Sequence, residues 1–149
     1  SPNLPNDQAI SLYPSLALLE PTVVSIGRGT YDPFQVIGHP QKLLGKYHFT
    51  PKSIEGLSKY PKHQDKLCFG VNLKDYPAPL SLDLSFLVKS YQTFSDKLFT
   101  SPSFFNKLVG NDKLIEQLRA GVSIKDIEKS WVKDLNQFRK VRKKYLIYP

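Results

Sequence analysis

Hydrophobic positions divide the chain by spacing. In the later part they recur at helical intervals: Leu84, Leu87, Tyr91, Phe94 and Leu98 fall on one face and predict an amphipathic helix from about Leu82 to Phe99. Asn111 and Asp112 then cap a short helix carrying Leu114, Ile115 and Leu118, which Gly121 ends. Ser123 with Asp126 resembles a capping box. Ile127, Trp131, Leu135, Phe138 and Tyr145 follow at helical spacing. This last helix is expected to bury that stripe and expose Lys125, Lys129, Lys133 and Lys140.

The first half is rich in proline, glycine and β-formers. Asn6 and Asp7 cap a short helix running toward Tyr13. Leu16 to Leu19 and Thr22 to Ile26 read as short strands on either side of Pro21. Further strands are expected from Phe34 to Ile37, from Tyr47 to Thr50 (an edge strand ending at Pro51) and from Lys66 to Lys74. Strands first and helices last predict an α+β fold. A mixed or antiparallel, barrel-like sheet in the first half would pack against amphipathic C-terminal helices.

Length changes this picture little, because 149 residues make one ordinary domain. No Met is present, and Ser1-Pro2-Asn3-Leu4-Pro5 reads as the tail of an interdomain linker. The expected organisation is therefore a linker remnant at 1–6 and one domain at 7–149 of a larger protein. The net charge of +8 is compatible with anionic partners, but the basic residues are scattered except for Arg139, Lys140, Arg142, Lys143 and Lys144. No nucleic-acid-binding signature accompanies them. Cys68 is the sole cysteine and sits in the apolar run Leu67 to Val71, so it reads as a buried structural thiol. No membrane-spanning segment is present in the sequence.

Candidate chemistry concentrates between Glu20 and Thr30. Gly27 and Gly29 flank Arg28, so the backbone there can take positive φ and approach another surface closely. Arg28 can then offer its planar fork of donors to a carboxylate or sugar oxygen. Ser25 and Thr30 add hydroxyls, and Glu20 adds a carboxylate. A hairpin turn with an exposed arginine fits the same spacing. Lys62 and His63 lie in a polar loop, Lys59 to Asp65, that either reaches an anionic ligand or is simply solvated. His39, His48 and His63 have no second ligand at metal-binding spacing, so no metal site is read. Neither a P-loop nor a dinucleotide fingerprint is present, and no cofactor is expected. Of the acids, only Glu20 falls within the Glu20 to Thr30 segment.

The chain resembles the C-terminal part of the exo-β-N-acetylmuramidase (NamZ-like) family, long catalogued as a domain of unknown function. The resemblance is carried by Ser1-Pro2-Asn3-Leu4-Pro5, Leu19-Glu20-x-Thr22 and Ser25-x-Gly27-Arg28-Gly29-Thr30. It continues through Pro33-Phe34-Gln35, Gly38-x-Pro40, Phe49-x-Pro51 and Cys68-x-Gly70-Val71. It closes with Leu118-Arg119-x-Gly121, Trp131, Phe138 and Arg142-x-x-Tyr145-Leu146-x-Tyr148. The family pattern has Gly-Thr-Asn after the glutamate, where this chain has Pro21 and Val23.

The resemblance implies a cell-wall glycosidase that removes terminal N-acetylmuramic acid from the non-reducing end of peptidoglycan fragments. It further implies a periplasmic or extracellular location. A Rossmann-like N-terminal domain would carry the main catalytic acid, and the present chain would line the cleft against it. Glu20, as a catalytic candidate, and Ser25, Arg28 and Thr30 are the contributors so implied; Gly27, Gly29, Lys62 and His63 complete the expected substrate-binding set. This fragment alone is expected to be inactive. The competing expectation is a non-catalytic basic module that binds anionic glycan or nucleic acid.

Overall fold

The computed structural model describes residues 2–148; Ser1 and Pro149, and with Ser1 the first position of the expected linker, lie outside them. The chain forms two compact units, one up to Asp112 and one from Lys113.

In the first unit, α1 (Asp7–Leu16) starts at Asn6, whose Oδ1 accepts the Ala9 N–H at 2.9 Å. That satisfies one of the donors a helix start leaves open. The helix runs on through a 3₁₀ turn, Ala17–Leu19, where a strand was expected. The reason is compositional: Leu and Ala are among the best helix formers, and nothing in Leu16-Ala17-Leu18-Leu19 favours extension. Asn3 Nδ2 donates to Leu57 O at 3.1 Å, and Asn6 Nδ2 donates to Gln35 Oε1 at 3.1 Å.

Strands β1 (Val36–His39), β2 (Tyr47–Phe49) and β3 (Cys68–Asn72) form an antiparallel sheet in the order β1-β3-β2. β3 is central, as the pattern from Lys66 to Lys74 suggests, and β2 is an edge strand. The class is α+β; the three strands form an open sheet and no closed barrel. Val36, Phe49 and Cys68 pack on one another with Tyr47 against them. Burial pushes the Cys68 thiol up to about 11, which suits packing and not nucleophilic attack.

The expected helix from Leu82 to Phe99 is α2 (Ser85–Phe94) followed by a 3₁₀ turn, Ser95–Leu98. α2 packs on α1. Helix α3 (Pro102–Val109) follows and packs on the Ala17–Leu19 turn. Leu12, Leu16, Leu19, Leu87, Leu98 and Phe105 are fully buried, each stabilising by about 1.5–3 kcal/mol relative to exposure.

The second unit holds α4 (Lys113–Arg119) and α5 (Ile124–Arg142). Ser123 caps α5 through its Oγ, which accepts the Asp126 N–H at 3.2 Å. Gln117 Nε2 donates to Ser130 Oγ at 3.3 Å, tying the two helices. The expected burial of the whole α5 stripe is corrected. Ile127 is fully buried, but Leu135, Phe138 and Tyr145 are 44, 60 and 78% exposed. At 1.5 Å per residue, seven-residue α4 can cover only the start of nineteen-residue α5.

Candidate functional site

The segment from Glu20 to Ile26 belongs to no strand ladder: Glu20 still has helical backbone at the end of the 3₁₀ turn, and the chain bends at Val23 and Val24. It is held on both sides: Val23 N–H donates to Leu98 O at 2.8 Å, and Thr100 N–H donates to Pro21 O at 2.9 Å. Ser25 and Gly38 exchange backbone hydrogen bonds of 2.9 and 3.0 Å, which attaches the segment to β1. The carbonyls of Glu20, Thr22, Val23 and Val24 go to side chains. Lys62 Nζ donates to the carbonyls of Glu20 (3.2 Å), Val24 (2.9 Å) and Thr22. His63 Nε2 donates to Val23 O at 2.6 Å, which fixes the proton on that nitrogen, because a carbonyl only accepts. Side chains from one loop thus replace the neighbouring strand that Thr22 to Ile26 would otherwise pair with. This is why the strand expected there is reduced to isolated bridges.

The loop is pinned by the same contacts. Burial pulls the Lys62 ammonium down to about 8, with the Glu20 charge opposing the fall and Arg28 adding to it. At neutral pH it remains charged, and the ammonium's three donors match the three carbonyls. The His39 and His63 rings meet edge to face at 4.8 Å, and His39 meets Phe94 in the same way. Burial, with help from His63, Lys42 and Lys62, brings His39 down to about 4; burial also lowers His63.

Gly27 and Gly29 both have positive φ, 80 and 81°, as the spacing around Arg28 suggests. A Cβ on Gly29 would stand 2.5 Å from the Pro61 ring and 2.6 Å from Lys52 O, so the turn is packed directly against the Lys62 loop. Between the glycines, Arg28 Nη2 donates to Glu20 Oε1 at 2.5 Å. Arg28 also stands 5.1 Å from the centroid of the Phe34 ring. Phe34 is fully buried with φ +58°, a conformation unfavourable for a bulky residue and held by its surroundings. Its N–H donates to Ile26 O at 2.8 Å, and Tyr13 meets its ring edge on at 5.0 Å.

Glu20, Ser25, Arg28 and Lys62 line one cavity of about 340 Å³, together with Ile26, Ser58, Tyr60, Pro61 and Phe104. Glu20 is the only acid among these lining residues. Gly27 and Gly29 flank Arg28 but are not among the lining residues. Thr30 is turned away: its Oγ1 donates to Gly27 O at 2.7 Å, and the residue borders a separate open depression with Tyr31 and Asp32. His63 reaches Val23 O and is not among the lining residues. Sequence reasoning did not single out Tyr60, Ser58 or Phe104. Tyr60 lies inside the polar loop already noted, whereas Phe104 carries no signal that separates it from buried Phe105 beside it. Among the described residues no three of His, Cys, Asp and Glu gather as a metal-binding group. No helix among them is long and apolar enough to cross a membrane.

The family described as exo-β-N-acetylmuramidase NamZ, C-terminal, matches residues 11–148. A curated relative, the peptidoglycan β-N-acetylmuramidase NamZ of Bacillus subtilis (strain 168), is 35% identical over 99% of this chain, and the match spans 39% of that protein. A crystal structure of a DUF1343 family protein from Bacteroides fragilis is 43% identical with a TM-score of 0.88, covering 99% of this chain and 43% of that one. A second DUF1343 protein of the same organism shares the fold at 21% identity and a TM-score of 0.71, covering 100% of this chain and 44% of that one. The chain therefore spans about two-fifths of the length of these relatives.

Proposed function

Because the chain belongs to the family of exo-β-N-acetylmuramidase NamZ C-terminal domains, we propose that it is the auxiliary domain of a cell-wall glycosidase that removes terminal N-acetylmuramic acid from peptidoglycan fragments. Its site of action would be periplasmic or extracellular, where that polymer lies. Both compact units belong to this one domain in our reading, since the family match runs through both. A Rossmann-like N-terminal domain supplies the other wall of the cleft and the main catalytic acid.

The observation that carries the reading is the Glu20–Arg28 pair in the 340 Å³ cavity. Muramic acid differs from other cell-wall amino sugars by a lactyl carboxylate. Arg28 uses Nη2 on Glu20 and has further donors on the same planar fork, which suits a second carboxylate. Ser25 offers a hydroxyl to the sugar. Lys62 holds the carbonyls of the Glu20 to Val24 segment, and His63 secures the same segment from Val23. Gly27, Gly29 and Thr30 fix the turn that presents Arg28. Glu20 supplies one carboxylate where hydrolysis needs two, so the second comes from outside this cavity.

The deciding experiment is a release assay on a full-length protein of the relatives' size, with a chromogenic N-acetylmuramic acid glycoside, beside this chain alone. Activity in the full-length protein and none in the chain is the expected result. No release from the glycoside or from any peptidoglycan fragment would reject the reading.

A further inference from the structure

Two aromatic rings border the Glu20–Arg28 cavity on rigid supports. Tyr60 is 81% exposed, although the residues after it are firmly held: Pro61 is buried against Gly29, Lys62 on three carbonyls and His63 on Val23. The Lys59 ammonium stands 5.4 Å from the Tyr60 ring centroid, yet the ring stays open to solvent. Phe104 is 45% exposed on α3, while the adjacent Phe105 is fully buried and meets Phe99 edge to face at 4.8 Å. Buried Phe105 anchors the helix, and Phe104 is left at the cavity.

We propose that Tyr60 and Phe104 form an apolar platform for the C–H face of a pyranose ring, a saccharide subsite beside the Glu20–Arg28 pair. A pyranose has hydroxyl edges and an apolar face. A cavity that places aromatic rings beside a carboxylate–guanidinium pair meets both kinds of surface. An aromatic side chain has only two rotatable torsions, so one carried on a held backbone loses little conformational freedom on binding, which favours affinity. The platform deepens the glycosidase reading and rests on it for the sugar's identity. It selects ligands by ring contact, whereas Arg28 selects by charge.

The test uses the full-length protein with Tyr60→Ala, Phe104→Ala and the conservative Tyr60→Phe. Readouts are kcat and KM for a chromogenic N-acetylmuramic acid glycoside, and calorimetric binding of an N-acetylmuramic acid–N-acetylglucosamine disaccharide. Each alanine variant is expected to raise KM, and weaken disaccharide binding, about three- to tenfold. kcat should change less, and Tyr60→Phe should restore the wild-type values. Hydrolysis with KM and binding unchanged in both alanine variants would overturn the platform and leave the glycosidase reading standing. Disaccharide binding weakened by the variants in a protein that hydrolyses nothing would uphold the platform and reject the glycosidase reading. Wild-type protein that neither hydrolyses nor binds would sink both.

Discussion

Arg28 Nη2 donates to Glu20 Oε1 at 2.5 Å across eight residues, closing a segment that bends at Val23 and Val24 and turns through Gly27 at φ 80°. If the remaining donors of Arg28 take the substrate carboxylate, Arg28→Ala removes a charge-assisted hydrogen bond of about 1.5–3 kcal/mol. The full-length protein should then lose roughly ten- to a hundredfold in kcat/KM, at the lower end because the Arg28 side chain is 37% exposed. A glycoside lacking the lactyl group should show a much smaller loss. Equal losses on both substrates would place Arg28 in structure alone.

Glu20→Gln separates charge from shape. Glutamine keeps the length and an acceptor for Arg28 but cannot act as a carboxylate. If Glu20 is one of the two hydrolytic carboxyl groups, kcat in the full-length protein should fall by about 10²–10⁴, the usual contribution of a positioned acid or base. An undiminished kcat with a raised KM would reduce Glu20 to a positioning residue for Arg28.

The same turn shows what was legible in the sequence. Gly27-Arg28-Gly29 announced positive φ, and the Asn6 and Ser123 caps announced helix starts, because each is a local demand that residue type alone meets. The strand expected from Thr22 to Ile26 failed for a non-local reason. Its carbonyls are satisfied by Lys62 and His63, about forty residues away. Helix α3 carries proline at its start and Gly110 (φ 78°) at its end, but eight residues are too few for periodicity to stand out. The α5 stripe has the spacing of a core face, and spacing cannot say how far a neighbouring helix extends. Of the cavity, Glu20, Ser25, Arg28 and Lys62 were nominated from residue chemistry, whereas Phe104 entered only through its placement.

Gly29 and Gly56 form a controlled pair. Both have positive φ, 81 and 75°, so alanine at either meets a backbone penalty of about 1–2 kcal/mol. At Gly56 nothing lies within 4 Å of the added Cβ. At Gly29 the methyl would strike Pro61 and Lys52 O, adding about 1–3 kcal/mol of overpacking. Urea unfolding should therefore rank Gly29→Ala below Gly56→Ala in stability. In the full-length protein only Gly29→Ala should also impair catalysis, because Pro61 precedes the lysine that clamps the site. Equal stability losses would show that the loop yields easily and that Lys62 is not rigidly held.

Acid should weaken the first unit through His39. Its folded-state pKa is lowered to about 4 from an ordinary 6.5, chiefly by burial. Between those values the unfolded chain takes up a proton that the folded chain refuses. Stability is thus retained above pH 6.5 and declines as pH falls toward 4, by about 3 kcal/mol at most for 2.5 pH units of difference. His63, also lowered by burial, acts in the same direction. His39 Nδ1 accepts the Gln41 N–H at 3.1 Å, a bond that an asparagine Oδ1 can imitate without titrating. His39→Asn will lose packing against Phe94, so the slope with pH, not the absolute stability, is the readout. Urea midpoints measured from pH 7 to pH 4.5 should fall steeply for the wild type and less for His39→Asn. Parallel slopes would mean that acid sensitivity arises elsewhere, and that protonated His39 is accommodated beside Lys62 and His63 without strain.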